Sequence, residues 1–140
     1  MVPPAPDIHS ILVLHSRSEE PSLRLEEIAL GVLTYFREIT PVLLPLVSHP
    51  DFSYESFVER YPDSPLNQLV AALQAWLNGL ERNGTLATRA AGTVAVTVVS
   101  SMASLALFEK IGVHGGEVDE HVVREMARLF WRGATATSLT

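Results

Sequence analysis

The stretch Ala87–Gly112, ATRAAGTVAVTVVSSMASLALFEKIG, decides how the rest of the chain is read. It is the longest apolar run in the protein and holds no charged residue from Ala90 through Phe108. Its centre, Thr93 to Val99, is rich in β-branched residues and on its own would suit a strand. The flanking alanines and the length of the run favour a helix instead, with burial overriding weak local propensity. A helix that is apolar all round has to be covered on every side. The neighbouring segments each offer one apolar face, so they are expected to pack around this helix and to leave part of it for a second copy of the chain.

The run also approaches the roughly 20 residues that span a bilayer. Gly92, Thr93, Thr97, Ser100, Ser101 and Ser104 keep it moderate in hydropathy, and no aromatic belt or basic cluster marks either end. A buried helix of a non-membrane protein is the expectation. Its small residues Ala91, Ala95, Ser101 and Ser104 allow close approach of another helix, while Val94, Val98, Met102 and Leu105 supply contact. That side is assigned to a partner copy, and Val96, Val99, Ala103 and Leu107 to the domain's own core.

Moving towards the N-terminus, Ser64-Pro65 is a cap followed by proline at the first helical position. Leu66, Leu69, Val70, Leu73, Trp76, Leu77 and Leu80 then recur at helical spacing until Asn83-Gly84 ends the segment. Ahead of it, Ser53 caps a short helix with Tyr54, Phe57, Val58 and Tyr61 on one face, closed by Pro62-Asp63. Farther back, Leu25, Ile28, Ala29, Val32, Phe36, Ile39, Leu43 and Leu46 trace a core-facing stripe after a Ser22 cap. Pro41 and Pro45 lie inside it. Each lacks an N–H and clashes with the carbonyl four residues back, so the spacing predicts two helices, about 22–38 and 41–48. The joint between them is a helix boundary or a hinge at a pocket mouth. Residues 1–21, with three prolines in the first six positions, read as a flexible arm. His9 and His15 lie there beside Asp7 and Ser16, and are read as solvated rather than as parts of a nucleophilic triad.

On the C-terminal side, Thr85 or Thr88 is expected to cap the central helix. Asp119 caps a last helix with Val122, Val123, Met126, Ala127 and Phe130 on one face and Trp131 beside it. Gly133 stops it, and residues 134–140 form a frayed tail. The whole is therefore an all-α bundle of about six helices, a single domain over 22–133.

Composition narrows the function. A chain of 140 residues that is 47% hydrophobic and 19% charged is more apolar than an average domain of its size. The surplus needs a ligand cavity or a subunit interface. The net charge of −6 supplies no basic patch for nucleic acid. With no cysteine, disulfides and thiolate metal sites are excluded and a reducing compartment is allowed. The short Ile11–Leu14 run lacks a preceding positive region, so no signal peptide is read and a cytoplasmic location is expected. His114, Glu117 and His121 straddle a glycine link and do not make a metal site; no cofactor is expected. Glu26-Glu27 and Asp119-Glu120 stand in first turns, where they complement the helix dipole rather than act as catalytic pairs. With no convergent polar set, an enzyme is not expected.

The order of these features resembles the C-terminal ligand-binding and dimerisation domain of TetR-family transcriptional regulators. The likeness runs from about Leu23 to Gly133. It rests on Ala-Trp-Leu-Asn-Gly-Leu-Glu at the end of one helix, the Asn83-Gly84-Thr85-Leu86 turn, Ala90-Ala91 opening a long apolar helix, Leu107-Phe108-Glu109 near its end, and a last helix running into Trp131-Arg132-Gly133. The resemblance implies that the last two long helices pair with those of a second subunit in a four-helix interface. It also implies that the earlier helices enclose a pocket for an apolar or amphipathic effector. The residues assigned to the pocket are Leu33, Phe36, Leu43, Phe57, Tyr61, Leu73, Trp76, Leu77, Met102 and Phe108. Those assigned to the homodimer interface are Ala91, Val94, Ala95, Val98, Ser101, Leu105, Val122, Val123, Met126 and Phe130. A complete regulator also has a helix-turn-helix of about fifty residues, and residues 1–21 have neither the length nor the basic recognition helix for one. DNA would be reached only through such a motif outside this chain. The alternative expectation is a helical homodimeric interaction module with no small ligand and no DNA binding.

Overall fold

The computed structural model describes residues 20–60, 65–113 and 115–135, leaving aside the side chains of 58, 65 and 66. The arm residues up to 19, Tyr61 with the Pro62-Asp63 stop, the Ser64 cap, His114 and the tail from 136 lie outside the described residues. Among those described, the protein is all-helical, with helices α1 (Pro21–Val47), α2 (Tyr54–Arg60), α3 (Pro65–Arg82), α4 (Ala90–Lys110) and α5 (Glu120–Thr135).

The two helices expected over 22–48 are one, which reduces the expected six to five. Pro41 and Pro45 sit inside an unbroken α1. Four residues apart, they lie one above the other on the same face, and both are exposed. The carbonyls they leave without donors, those of Arg37 and Pro41, therefore open towards water instead of the core, and the helix carries on. The start also differs. Pro21 takes the first helical position, a role suited to the proline's preset φ, and Glu20 is the cap residue, with no side-chain capping bond. Burial follows the expected stripe from Leu25 to Ile39. It then fades: Leu43 is half-buried and Leu46 exposed, so the last turns of α1 project beyond the core.

Ser53 caps α2 as its position suggests, its Oγ accepting from the Ser56 N–H at 3.3 Å. Asp119 does the same for α5, accepting from the His121 N–H at 2.8 Å. Asn83-Gly84 ends α3, with Gly84 at φ +85° and the N–H groups of Thr85 and Leu86 both donating to the Leu80 carbonyl. Neither Thr85 nor Thr88 caps α4. The Thr85 hydroxyl is engaged by Asn83 Oδ1 at 2.6 Å, and the cap residue is Arg89 in the left-handed region, φ 68°, its N–H held by the Glu81 carboxylate. Gly133 does not stop α5. Ala134 is buried and its carbonyl accepts from the Ala87 N–H at 2.9 Å, so tertiary contact carries the helix two residues past the glycine.

Helix α4 is the axis of the fold. Helices α1, α3 and α5 all pack on it, and α1 also packs on α5. The backbone of α2 approaches none of the other helices; its Phe57 turns back on Phe52, ring centroids 5.9 Å apart. The core comprises one cluster, from Leu25, Ile28, Val32, Leu33, Phe36 and Ile39 of α1 through Leu69, Leu73 and Leu77 of α3 to Val94, Val98 and Met102 of α4 and Val123 and Ala127 of α5.

Candidate functional site

The central helix is not covered on every side. Ala91, Val94, Ala95, Val98, Val99, Met102 and Ala106 are buried, whereas Thr93, Val96, Ser100, Ser104 and Phe108 are exposed. The expected assignment of sides holds only in part: Val99 is buried and Ala103 packs against the core as expected, and Leu107 is half-buried. Val98 is fully buried and Val96 is 54% exposed. Ala91, Val94 and Ala95 belong to the chain's own core, with Ser101 and Leu105 half-buried. Ala91, Val94, Ala95 and Val98 pack inside the chain because close approach is needed as much by α1 and α3 as by a second copy. A signal for the true outer side does exist in the sequence: Thr93, Thr97, Ser100, Ser104 and Phe108 recur at spacings of three and four, a hydroxyl-rich stripe on an otherwise apolar helix.

On α5, Val122 and Leu129 are exposed, Met126 and Phe130 half-buried, and Val123 fully buried. Phe130 and Leu129 share a cleft with Thr93, Val94 and Thr97, so the outer edges of α4 and α5 adjoin. The two helices run antiparallel, which sets Val122 towards the Phe108 end and Leu129 beside Thr97. Both helices thus expose small and apolar side chains, which adjoin at the cleft of Thr93 and Thr97 with Leu129.

The residues assigned to a ligand pocket do not converge on one cavity. Leu33, Phe36, Leu73, Leu77 and Met102 are buried members of the core cluster. Leu43 is half-buried near the end of α4, where neighbouring Thr40 and Pro41 share a cleft with Ala106 and Lys110. Trp76 is half-buried near its start, since Gln74 lies 3.4 Å from the position a Cβ on Gly92 would take. Gly92 and Ala106 are roughly 21 Å apart along the helix at 1.5 Å per residue. Phe57 borders a small cleft with Leu46, Phe52 and Arg60, and Phe108 is exposed at 40%. Tyr61 lies outside the described residues.

Two ion-pair groups tie the helices together. Glu26, 3% exposed, receives Arg124 Nη1 and Arg128 Nε of α5, both at 3.4 Å. Arg37 donates Nε and Nη2 to the two carboxylate oxygens of Glu109 at 2.8 and 2.7 Å, and the Val118 N–H donates to Glu109 Oε2 at 2.6 Å. The bond to Glu109 raises the Arg37 guanidinium above its ordinary value, against desolvation. The bond to Glu120 raises Arg124 in the same way. Burial pushes the Tyr35 phenol up. Arg37 with Glu109, and Glu26 with Arg124 and Arg128, are bonded across helix contacts, an arrangement suited to holding elements in register rather than to proton transfer. Among the described residues there is no cluster of three or more His, Asp or Glu that would hold a metal ion. Both α1 and α4 are long and apolar enough to cross a membrane by length and composition alone.

Comparison of the chain with protein-family models, with curated proteins and with solved structures finds no match.

Proposed function

We propose that this chain is the effector-binding and dimerisation domain of a TetR-like transcriptional regulator, acting in the cytoplasm and binding a small apolar or amphipathic molecule rather than transforming one. The observation that carries the reading is the set of small and apolar side chains that α4 and α5 leave fully or partly exposed: Val96, Ser100, Ser104 and Phe108 on one helix, Val122, Met126 and Leu129 on the other. An apolar two-helix face of this kind is self-complementary under a two-fold axis, where the same patch meets itself. Pairing two copies gives the four-helix interface that the sequence resemblance implies, on the side of α4 opposite to the residues first assigned to it. DNA contact falls to a helix-turn-helix outside these residues.

An effector acts on a distant partner by binding one conformation better than another. The loosely held part of the fold is the outer end of α1 with α2, where Leu43, Leu46 and Phe57 retain exposure. An entering molecule meets these residues before it meets the sealed Leu33, Leu73, Leu77 and Met102. Those sealed side chains favour a second reading, a homodimeric interaction module with no small ligand. Two measurements test the proposal. Sedimentation at micromolar concentration is expected to give twice 15.3 kDa, and a stable monomer overturns the pairing. An extract of hydrophobic metabolites is expected to raise the melting temperature, and an unmoved transition favours the module.

A further inference from the structure

The cleft between the first turns of α4 and the last turns of α5 plays no part in the effector reading above. Its volume is about 420 Å³, within the roughly 300–1,000 Å³ of small-molecule sites. Val94, Leu129 and Phe130 make one side apolar. The other side carries the hydroxyls of Thr88, Thr93 and Thr97 and the guanidinium of Arg89. Among the described residues, none of these four polar side chains has a hydrogen-bond or ion-pair partner. A second cleft of about 520 Å³ shares Arg89, Thr93 and Thr97 and extends to Gln74 and Val96. The hydroxyl row is therefore open along both flanks of the helix.

The charge of the cleft runs against that of the chain. In a protein of net charge −6, its lining includes one cation and no carboxylate. A metal ion is disfavoured by that lining, and a fully hydrated anion would leave the apolar side bare. The complement is a molecule with one anionic head and an aliphatic body. We propose that this cleft binds an aliphatic monocarboxylate. Its carboxylate pairs with Arg89 and accepts from the threonine hydroxyls, a charge-assisted set, and its chain lies along Val94, Leu129 and Phe130. This binding goes beyond the proposed function, since neither transcription nor the outer end of α1 enters it, and Leu129, shared with the face proposed for a second copy, sets the cleft at the edge of that face.

The test uses the full chain with decanoate and, separately, 1-decanol as probes, followed by amide-resolved NMR titration. Decanoate is expected to saturate at one molecule per chain and to shift resonances of Thr88–Thr97 and Leu129–Ala134. Arg89→Gln is expected to weaken decanoate about tenfold or more, the loss of a hydrogen-bonded charge, and to leave decanol binding unchanged. Arg89→Lys, which keeps the cation, restores most of the affinity. Leu129→Asn, at a position 55% exposed and so without cost to the core, weakens both probes. Decanoate binding that survives Arg89→Gln, or shifts that map to Leu43, Phe57 and Trp76 instead, overturns the proposal.

Discussion

Glu109 occupies the last turn of α4, where a negative charge opposes the helix dipole, and its side chain is only 5% exposed. A buried acid at that end must be held, and the fork of Arg37 with the Val118 N–H holds it. Arg37→Met leaves the carboxylate buried without the fork and is expected to destabilise the fold. Breaking a buried pair costs about 3–5 kcal/mol; with Arg37 28% exposed, solvent screening lowers the expectation to about 2–3 kcal/mol. Arg37→Lys keeps the charge but not the planar fork, and falls between. Urea denaturation checks both. The sign of the pH dependence follows from the raised Arg37 value. Its contribution is fully present below the ordinary guanidinium range and is lost only as pH rises through it. The gap between wild type and Arg37→Met is therefore expected to stay constant from about pH 7 to about pH 10. Nothing local in the sequence announced this pair. Its members stand 72 positions apart, each an ordinary charge on its own helix, and only the packing of α1 on α4 brings them together.

At the scale of the element, α1 separates what a residue pattern can say from what it cannot. The spacing of Leu25 through Ile39 was legible as a buried face because burial repeats with the helix period. The uninterrupted passage through Pro41 and Pro45 was not, because the rule that proline breaks a helix assumes that the freed carbonyls have no other partner. Which carbonyls face water depends on how α1 lies on α4 and α5. The same limit explains the caps. Ser53 and Asp119 act through local bonds and were readable, whereas the left-handed Arg89 depends on Glu81 of another helix. A proline in a helix interior costs about 3 kcal/mol relative to alanine, so the double change Pro41→Ala and Pro45→Ala is expected to stiffen the outer end of α1. Amide exchange should slow across 40–47, and protection of Ile28 to Phe36, already sealed in the core, should stay as it was. Unchanged exchange across 40–47 would mean that this end is as rigid with its prolines as without them.

For the whole molecule, the sequence pointed to a buried central helix, and the structure places α4 at the centre with one side exposed, a side other than the one the small residues suggested. Composition cannot tell which face of an apolar helix the neighbours will cover, since α1 and α3 demand small residues for close packing just as a second copy would. Two substitutions on adjacent faces of α4 now separate the alternatives. Val98→Glu places an unpaired charge among fully buried side chains, at a cost of several kcal/mol, and is expected to unfold the chain whatever its oligomeric state. Val96→Glu places the same charge at a position 54% exposed in one chain, where it has water as long as the chain is alone. Its helical circular dichroism should match the wild type. In a symmetric pair the two introduced carboxylates approach across the axis and repel, so the sedimenting mass should fall from twice 15.3 kDa to 15.3 kDa. A folded Val96→Glu protein that remains a dimer would move the interface off this face, and a folded, monomeric Val98→Glu protein would restore the side that the small residues first suggested.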